Sequence, residues 1–126
     1  ISQSRSSSHV IIYTNDGKLY GSGDNSNSQI LFDVNKANIY EPILIPGELP
    51  FKSALIQIET GAYHTIFLTE IGQVYGCGSN SHNQLSFDTK TMIKTISLMD
   101  KFNDVISIRA CKNASFILER NGNMYS

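Results

Sequence analysis

The residues with the most latent chemistry in this chain of 126 residues are three histidines and two cysteines. An imidazole beside a thiol could activate a nucleophile, and three or four such side chains at workable spacing could hold zinc. The sequence offers neither. His82 follows Cys77 closely, but a lone Cys/His pair is short of a metal set, and Cys111 stands apart from both. No serine sits in a nucleophile-elbow context. The glycines fall in strands and hairpin turns rather than in a phosphate-cradling loop before a helix. Asp16, Asp24, Asp33 and Asp88 read as turn or loop residues. No catalytic residue, no metal site and no cofactor is therefore expected. His9 and His64 hold the same place in a repeat, which argues for a structural role, with a ring nitrogen bound to loop backbone.

That repeat is the strongest signal in the chain. Shifted by 55 residues, His9 to Asp33 falls on His64 to Asp88 without a gap, and 12 of the 25 pairs are identical. Unrelated segments of ordinary composition would share about one or two. The matches include Gly17/Gly72, Gly21/Gly76, Gly23/Gly78, Asn25/Asn80 and Gln29/Gln84. A third copy appears at a shift of 50, with Val105 to Ser126 falling on Leu55 to Gly76; Gly72/Gly122 and Tyr75/Tyr125 match outright. The repeat organisation expected is 1–54, 55–104 and a partial third unit, 105–126. Both chain ends fall inside repeats, and Ile1 suggests that the natural start lies elsewhere.

Each unit reads as β-structure. Ala54–Glu59, His64–Thr69 and Val74–Gly78 are short and apolar, and the last two flank the turn Glu70-Ile71-Gly72-Gln73. The equivalent turns are Asn15-Asp16-Gly17 and Arg120-Asn121-Gly122. Asp-Gly and Asn-Gly between apolar runs signal hairpins, because glycine supplies the positive φ. The strand His64–Thr69 is apolar on both faces, as is its counterpart with Val10, Ile11, Ile12 and Tyr13. Such a strand is buried on both sides, which radially stacked blades achieve and a lone hairpin does not. The glycine pairs Gly21/Gly23 and Gly76/Gly78 suit a crowded seam between blades. Asn25, Gln29, Asn80 and Gln84 bracket polar loops, where their amides would bond backbone and fix loop shape.

Composition narrows the function classes. Ten basic residues against eleven acidic ones give a formal charge of −1, without the positive field that a nucleic-acid binder needs. Two unpaired thiols suit an intracellular protein, cytoplasmic or nuclear. No apolar run reaches membrane-spanning length, so no membrane partner is expected. Asn113-Ala114-Ser115 fits a glycosylation acceptor, a pattern common by chance.

The repeat resembles that of the regulator of chromosome condensation family. Gly61, His64, Thr65, Gly72, Val74, Tyr75, Gly78, Asn80, Gln84 and Leu85 stand at the family's places in the middle copy. His9, Gly17, Leu19, Tyr20, Gly23, Asn25 and Gln29 do so in the first. Glu41-Pro42-Ile43-Leu44-Ile45 resembles the family's connection, in which a proline opens the outer strand. The departures are Ser22 and Cys77 for a tryptophan, Ser28 and Asn83 for a glycine, Leu31 and Ser86 for another, and Ala114 for the histidine. The resemblance implies an all-β fold: a β-propeller arc of about two and a half blades, each a four-stranded antiparallel sheet, within a ring of about seven. Further repeats on a longer chain, or other copies, would close such a ring.

The resemblance implies a protein-interaction scaffold that binds a protein partner through loops on the propeller rim. A second implied activity is guanine-nucleotide exchange on a small Ran-like GTPase, which needs no covalent catalysis. Chromatin binding is disfavoured by the near-neutral charge. The expected partner-contact residues are Asp24, Asn27 and His82, which differ between copies while their neighbours stay fixed. The connections Asn35 to Tyr40 and Thr89 to Lys94 vary as well.

Overall fold

The structure is a computed structural model and describes residues 9–30, 38–45 and 48–126. Among these residues every regular element is a strand, and the strands form three antiparallel sheets. The first holds β1 (His9–Tyr13), β2 (Leu19–Asp24) and β3 (Asn38–Leu44). The second holds β4 (Leu55–Thr60), β5 (His64–Thr69), β6 (Val74–Gly78) and β7 (Ile93–Leu98), in that order. The third holds β8 (Val105–Ala110), β9 (Ser115–Glu119) and β10 (Met124–Tyr125). Each sheet is a meander of sequential strands from one repeat, and each repeat must bury its faces against its neighbours.

The hairpins follow from local chemistry. Gly72 N–H donates to the Thr69 carbonyl at 3.0 Å and Thr69 N–H to the Gln73 carbonyl at 2.9 Å, closing the β5–β6 turn. Gly17 and Gly122 close the equivalent turns on Thr14 and Glu119. The outer strand β3 begins at Asn38, so Pro42 lies within it rather than opening it. The register of β3 slips between Gly21 and Gly23 of its neighbour. That irregularity on an edge strand leaves room for a residue with no N–H to give. The variable stretches read as connections are thus partly strand: Asn38–Tyr40 belongs to β3 and Ile93–Lys94 to β7. Leu31 and positions 35–37 lie outside the described residues.

The faces show the stacking. Ile11 and Leu19 on one face of the first sheet pack with Phe67, Tyr75 and Cys77 of the second. Ile66, Leu68 and Val74, on the opposite face of the second sheet, pack with Ile108 and Ile117 of the third. Every residue of β5 and β6 is consequently buried. In β1 alternate residues, Val10 and Ile12, are only half-buried, because the sheet on that side has no described neighbour. Three sheets stacked face to face, with the middle one covered on both sides, form an arc of a β-propeller.

Gly76 shows what the seam requires. A Cβ there would stand 2.7 Å from Leu85 Cδ2 and 3.2 Å from Met99 Sδ. Leu85, fully buried, comes from the loop after β6 and plugs the seam across the bare position. Gly78 is bare for another reason: its φ of +104° lies where the β6–β7 register slips, and a side chain there would also press on the Tyr63 carbonyl at 2.5 Å.

Sandwiching makes a mutational test. Ile66 and Phe67 point to opposite faces, and both are at most 1% exposed. Ile66→Ala is expected to cost about 2–5 kcal/mol and Phe67→Ala about 3–5 kcal/mol in denaturant unfolding. A loss below about 1 kcal/mol for either would mean that its face is not covered.

Candidate functional site

The polar groups of the repeat gather at one end of the blades, where β1 and β5 begin and β2 and β6 end. His9 starts β1, and its Nε2 lies 2.8 Å from Thr65 Oγ1 on β5 of the next blade. His64 starts β5, and its Nε2 lies 2.9 Å from Ser115 Oγ on β9 of the blade after. Besides a bond from the Ala114 backbone of the β8–β9 connection to the His64 ring, the kind of loop contact expected from the sequence, both rings reach a hydroxyl across the seam. The physical reason is strand alternation: His64 and Thr65 are neighbours, so one faces the following blade and the other the preceding one. The middle repeat therefore reaches forward with an imidazole and back with a hydroxyl, whereas the first has only the imidazole (His9, with Val10 beside it) and the third only the hydroxyl (Ser115, with Ala114 beside it).

Thr65 donates its hydroxyl proton to the Gln29 carbonyl at 2.7 Å. A hydroxyl has one proton, so at this bond His9 Nε2 is the donor and Thr65 Oγ1 the acceptor. Cys77 Sγ also points at the Gln29 carbonyl, at 3.7 Å. Burial lowers both imidazoles from 6.5 to about 4. The nearby His64 adds to the fall at His9 while Asp24 opposes it, and the Ala114 backbone opposes it at His64. Burial alone raises the Cys77 thiol to about 12, which leaves it no nucleophilic thiolate at neutral pH.

The loops at this end are moulded by the recurring amides. Asn25 Oδ1 accepts from Ile30 N–H at 3.1 Å and Asn80 Oδ1 from Leu85 N–H at 2.8 Å. Asn80 Nδ2 donates to the carbonyls of Phe87 and Thr89. Gln29 Oε1 accepts from Asn27 N–H at 2.8 Å and Gln84 Oε1 from His82 N–H at 2.9 Å. These bonds hold Ile30 and Leu85 in the seam below and set the backbone of positions 27 and 82 above. Ser28, Asn83 and Ser86 have φ of 55°, 59° and 54°. All three stand where the resemblance gives glycine, so the chain keeps the loop shape with left-handed backbone at side-chain-bearing residues.

The expected contact residues sit on this rim. His82 is exposed and its Nδ1 lies 3.1 Å from Ser81 Oγ. Asn27 is half-buried. Asp24 ends β2, and its Oδ1 accepts from Ser26 N–H at 2.8 Å. Gly61 lies in the β4–β5 connection, packed against the His64 ring. Gly17, Gly72 and Gly122 lie at the far end, in the hairpins, and Gly23 stands in β2 beside Asp24. Ser115, the third residue of the glycosylation pattern, is buried against His64.

Two features had no sequence signal strong enough to mark them. Gln57 on β4 clamps the backbone of Ile108 on β8, donating to its carbonyl at 2.6 Å and accepting from its N–H at 3.1 Å. It is a lone amide in a strand, with no counterpart in register to draw attention to it. The second is an open groove of about 450 Å³ at the opposite rim, lined by Ile56, Ile71, Ile106, Glu70, Asp104 and Arg120. Ile56 and Ile71 come from the second repeat and Ile106 from the third, so the groove forms only after stacking. No group of three or more potential metal ligands occurs among the described residues.

The sequence profile of the regulator of chromosome condensation (RCC1) repeat matches residues 6–29 and 55–84. The chain belongs to the RCC1 repeat family. An RCC1 repeat-containing protein of Dictyostelium discoideum is 33% identical over 127 residues, which cover 93% of this chain and 26% of that protein. The secretion-regulating guanine nucleotide exchange factor of Bos taurus is 35% identical over 77 residues, covering 61% of this chain and 16% of that protein. The chain thus spans about a quarter or less of the length of these relatives. Yeast RCC1 (Prp20) solved bound to Kap60 superimposes with a TM-score of 0.80 at 19% identity, over 94% of this chain and 29% of that one. A second structure of Prp20, described with its binding properties to Gsp1p and histones, gives 0.76. These likenesses establish the fold. The RCC1 repeats here keep the imidazole in two copies and lose it in the third, at Ala114.

The buried imidazoles carry a pH signature. An unfolded histidine takes up its proton near pH 6.5, whereas these two do so near 4. Between those values the unfolded chain binds more protons, so acid favours unfolding. The contribution of the neutral rings is complete above pH 6.5 and is lost as the pH falls through 4; it amounts to about 3 kcal/mol per histidine. Urea unfolding of His64→Gln from pH 7 to pH 4 is expected to show a shallower loss of stability than the unsubstituted protein. Identical slopes would contradict the depressed ring.

Proposed function

We propose that this RCC1-repeat arc serves a protein-interaction scaffold and that a protein partner is contacted through the rim carrying Asp24, Asn27 and His82. The observation that carries the reading is the way the loops are built. Asn25, Gln29, Asn80 and Gln84 fix the backbone from within, while between them Asn27 and His82 differ from copy to copy, His82 exposed and Asn27 half-buried. Rigid backbone with variable side chains suits recognition, since little ordering entropy remains to oppose binding. The absence of a convergent set of reactive groups among the described residues favours binding over covalent catalysis.

A second reading is guanine-nucleotide exchange on a small GTPase. The bovine relative named as an exchange factor supports it, as does the Prp20 structure described with Gsp1p binding. Exchange requires only that a bound surface distort a nucleotide site, so it is compatible with a rim that has no catalytic residue. The charge of −1 gives no support to a primarily electrostatic nucleic-acid contact.

Photo-crosslinking amino acids placed at positions 27 and 82 of the full-length protein are expected to capture a discrete protein species in cells. The same probe at Tyr40, on the outer strand, is expected to capture none. Failure at both rim positions, with folding intact, would reject the rim as the contact surface. For the second reading, the full-length protein is expected to accelerate nucleotide release from at least one GTPase in a panel; no acceleration from any member would reject it.

A further inference from the structure

The groove at the hairpin rim is apolar at positions that the fold does not bury. Where β5 steps from Thr69 to Leu68, its partner β4 steps from Leu55 to Gln57, so Ile56 is the extra residue of a β-bulge. The same irregularity recurs in β8, where Ile106 is the extra residue. A bulge re-aims the side chain that it carries. Ile56 and Ile106 are accordingly 60% and 42% exposed. Their neighbours change between the two repeats, Gln57 to Ser107 and Glu59 to Arg109, yet the exposed isoleucine stays. Ile71 completes the group from the β5–β6 turn. It is 56% exposed, at a place where the other two hairpins have Asp16 and Asn121. Polar residues would serve the bulges and the turn, so three exposed isoleucines around one groove point to a surface that a partner removes from water.

The groove is held by backbone bonds. Val105 N–H donates to the Gly72 carbonyl at 3.1 Å, Arg120 N–H to the Asp104 carbonyl at 2.9 Å and Glu70 N–H to the Ala54 carbonyl at 2.9 Å. Past Ile56 it adjoins a second opening of about 240 Å³ beside Tyr13 and Gln57. That continuation suits an extended segment rather than a compact molecule. The charge is one-sided: Arg120 pairs with Asp104 at 3.2 Å, whereas the exposed Glu70 forms no ion pair among the described residues.

We propose that this groove is a second docking surface, on the rim opposite Asp24, Asn27 and His82. It takes an extended segment of a partner protein, with an aliphatic side chain among Ile56, Ile71 and Ile106 and a lysine or arginine beside Glu70. The aliphatic side chain covers the three isoleucines, and the cation answers the groove's uncompensated carboxylate.

The test selects displayed random peptides on the full-length protein and on two variants. Both substitutions borrow from the equivalent turns of the chain, Ile71→Asn from Asn121 and Glu70→Arg from Arg120, so the hairpin keeps residues that it accommodates elsewhere. The selected peptides are expected to share an aliphatic residue and a lysine or arginine. Ile71→Asn is expected to weaken their binding by at least about tenfold, and Glu70→Arg to shift the selection from basic to acidic peptides. Equal binding to Ile71→Asn would overturn the groove, and basic peptides still selected on Glu70→Arg would overturn the charge assignment. Self-association of the full-length protein that Ile71→Asn abolishes would overturn the partner segment in favour of a second copy. With methyl-labelled isoleucine and no substitution, the signals of Ile56, Ile71 and Ile106 are expected to move when a selected peptide binds, while that of the buried Ile66 stays. Unmoved signals at all three would also overturn the proposal.

Discussion

An imidazole buried between two β-sheets can persist only if it is neutral and hydrogen-bonded, and that condition ties the blades of this protein together. His9 and His64 meet it by reaching hydroxyls on the next sheet. Thr65 passes its own proton back to the carbonyl of Gln29 in the preceding blade. One pair of adjacent residues, His64 and Thr65, therefore engages both flanking blades at once. The apolar seams below supply the bulk of the stability through burial, but apolar packing alone is tolerant of sliding. The directed bond fixes which strand start faces which, and so sets the register between blades.

The rim loops inherit that order. The Gln29 carbonyl that receives the Thr65 proton belongs to the loop whose other end is tied by Asn25. Ile30 and Leu85 descend from these loops into the seams, into space that Gly21 and Gly76 leave empty. The loop conformation and the blade packing are thus one arrangement seen from two sides. A partner that meets Asn27 or His82 meets a surface backed by the propeller core, and the variable residues can change without disturbing what holds them.

Much of this was legible in the chain. Twelve identities in register located the repeats, and apolar residues on both faces of His64–Thr69 required a covered sheet. The strand boundaries of β5 and β6 follow from the hairpin glycines. The loop-backbone bond suggested by the repeat position is present at His64 through Ala114, and the hydroxyl partner across the seam was also legible: alternation sends Thr65 to the face opposite His64, so a hydroxyl awaits each imidazole one repeat further on. Pro42 within β3 was missed because a proline reads as a strand boundary unless the edge position and slipped register are known. Gln57 was illegible for a different reason, since its partner Ile108 is 51 residues away and shares no motif with it; the groove at the opposite rim joins Ile56 and Ile71 of one repeat to Ile106 of the next, and exists only once the sheets stack.

The central claim is that a directed bond couples adjacent blades through His64 and Ser115. A double-mutant cycle with His64→Ala and Ser115→Ala, read by denaturant unfolding, measures that coupling directly. The predicted interaction free energy is about 1 kcal/mol or more, with the double variant less destabilised than the sum of the singles. Additive losses within about 0.3 kcal/mol would show that the two side chains are merely neighbours.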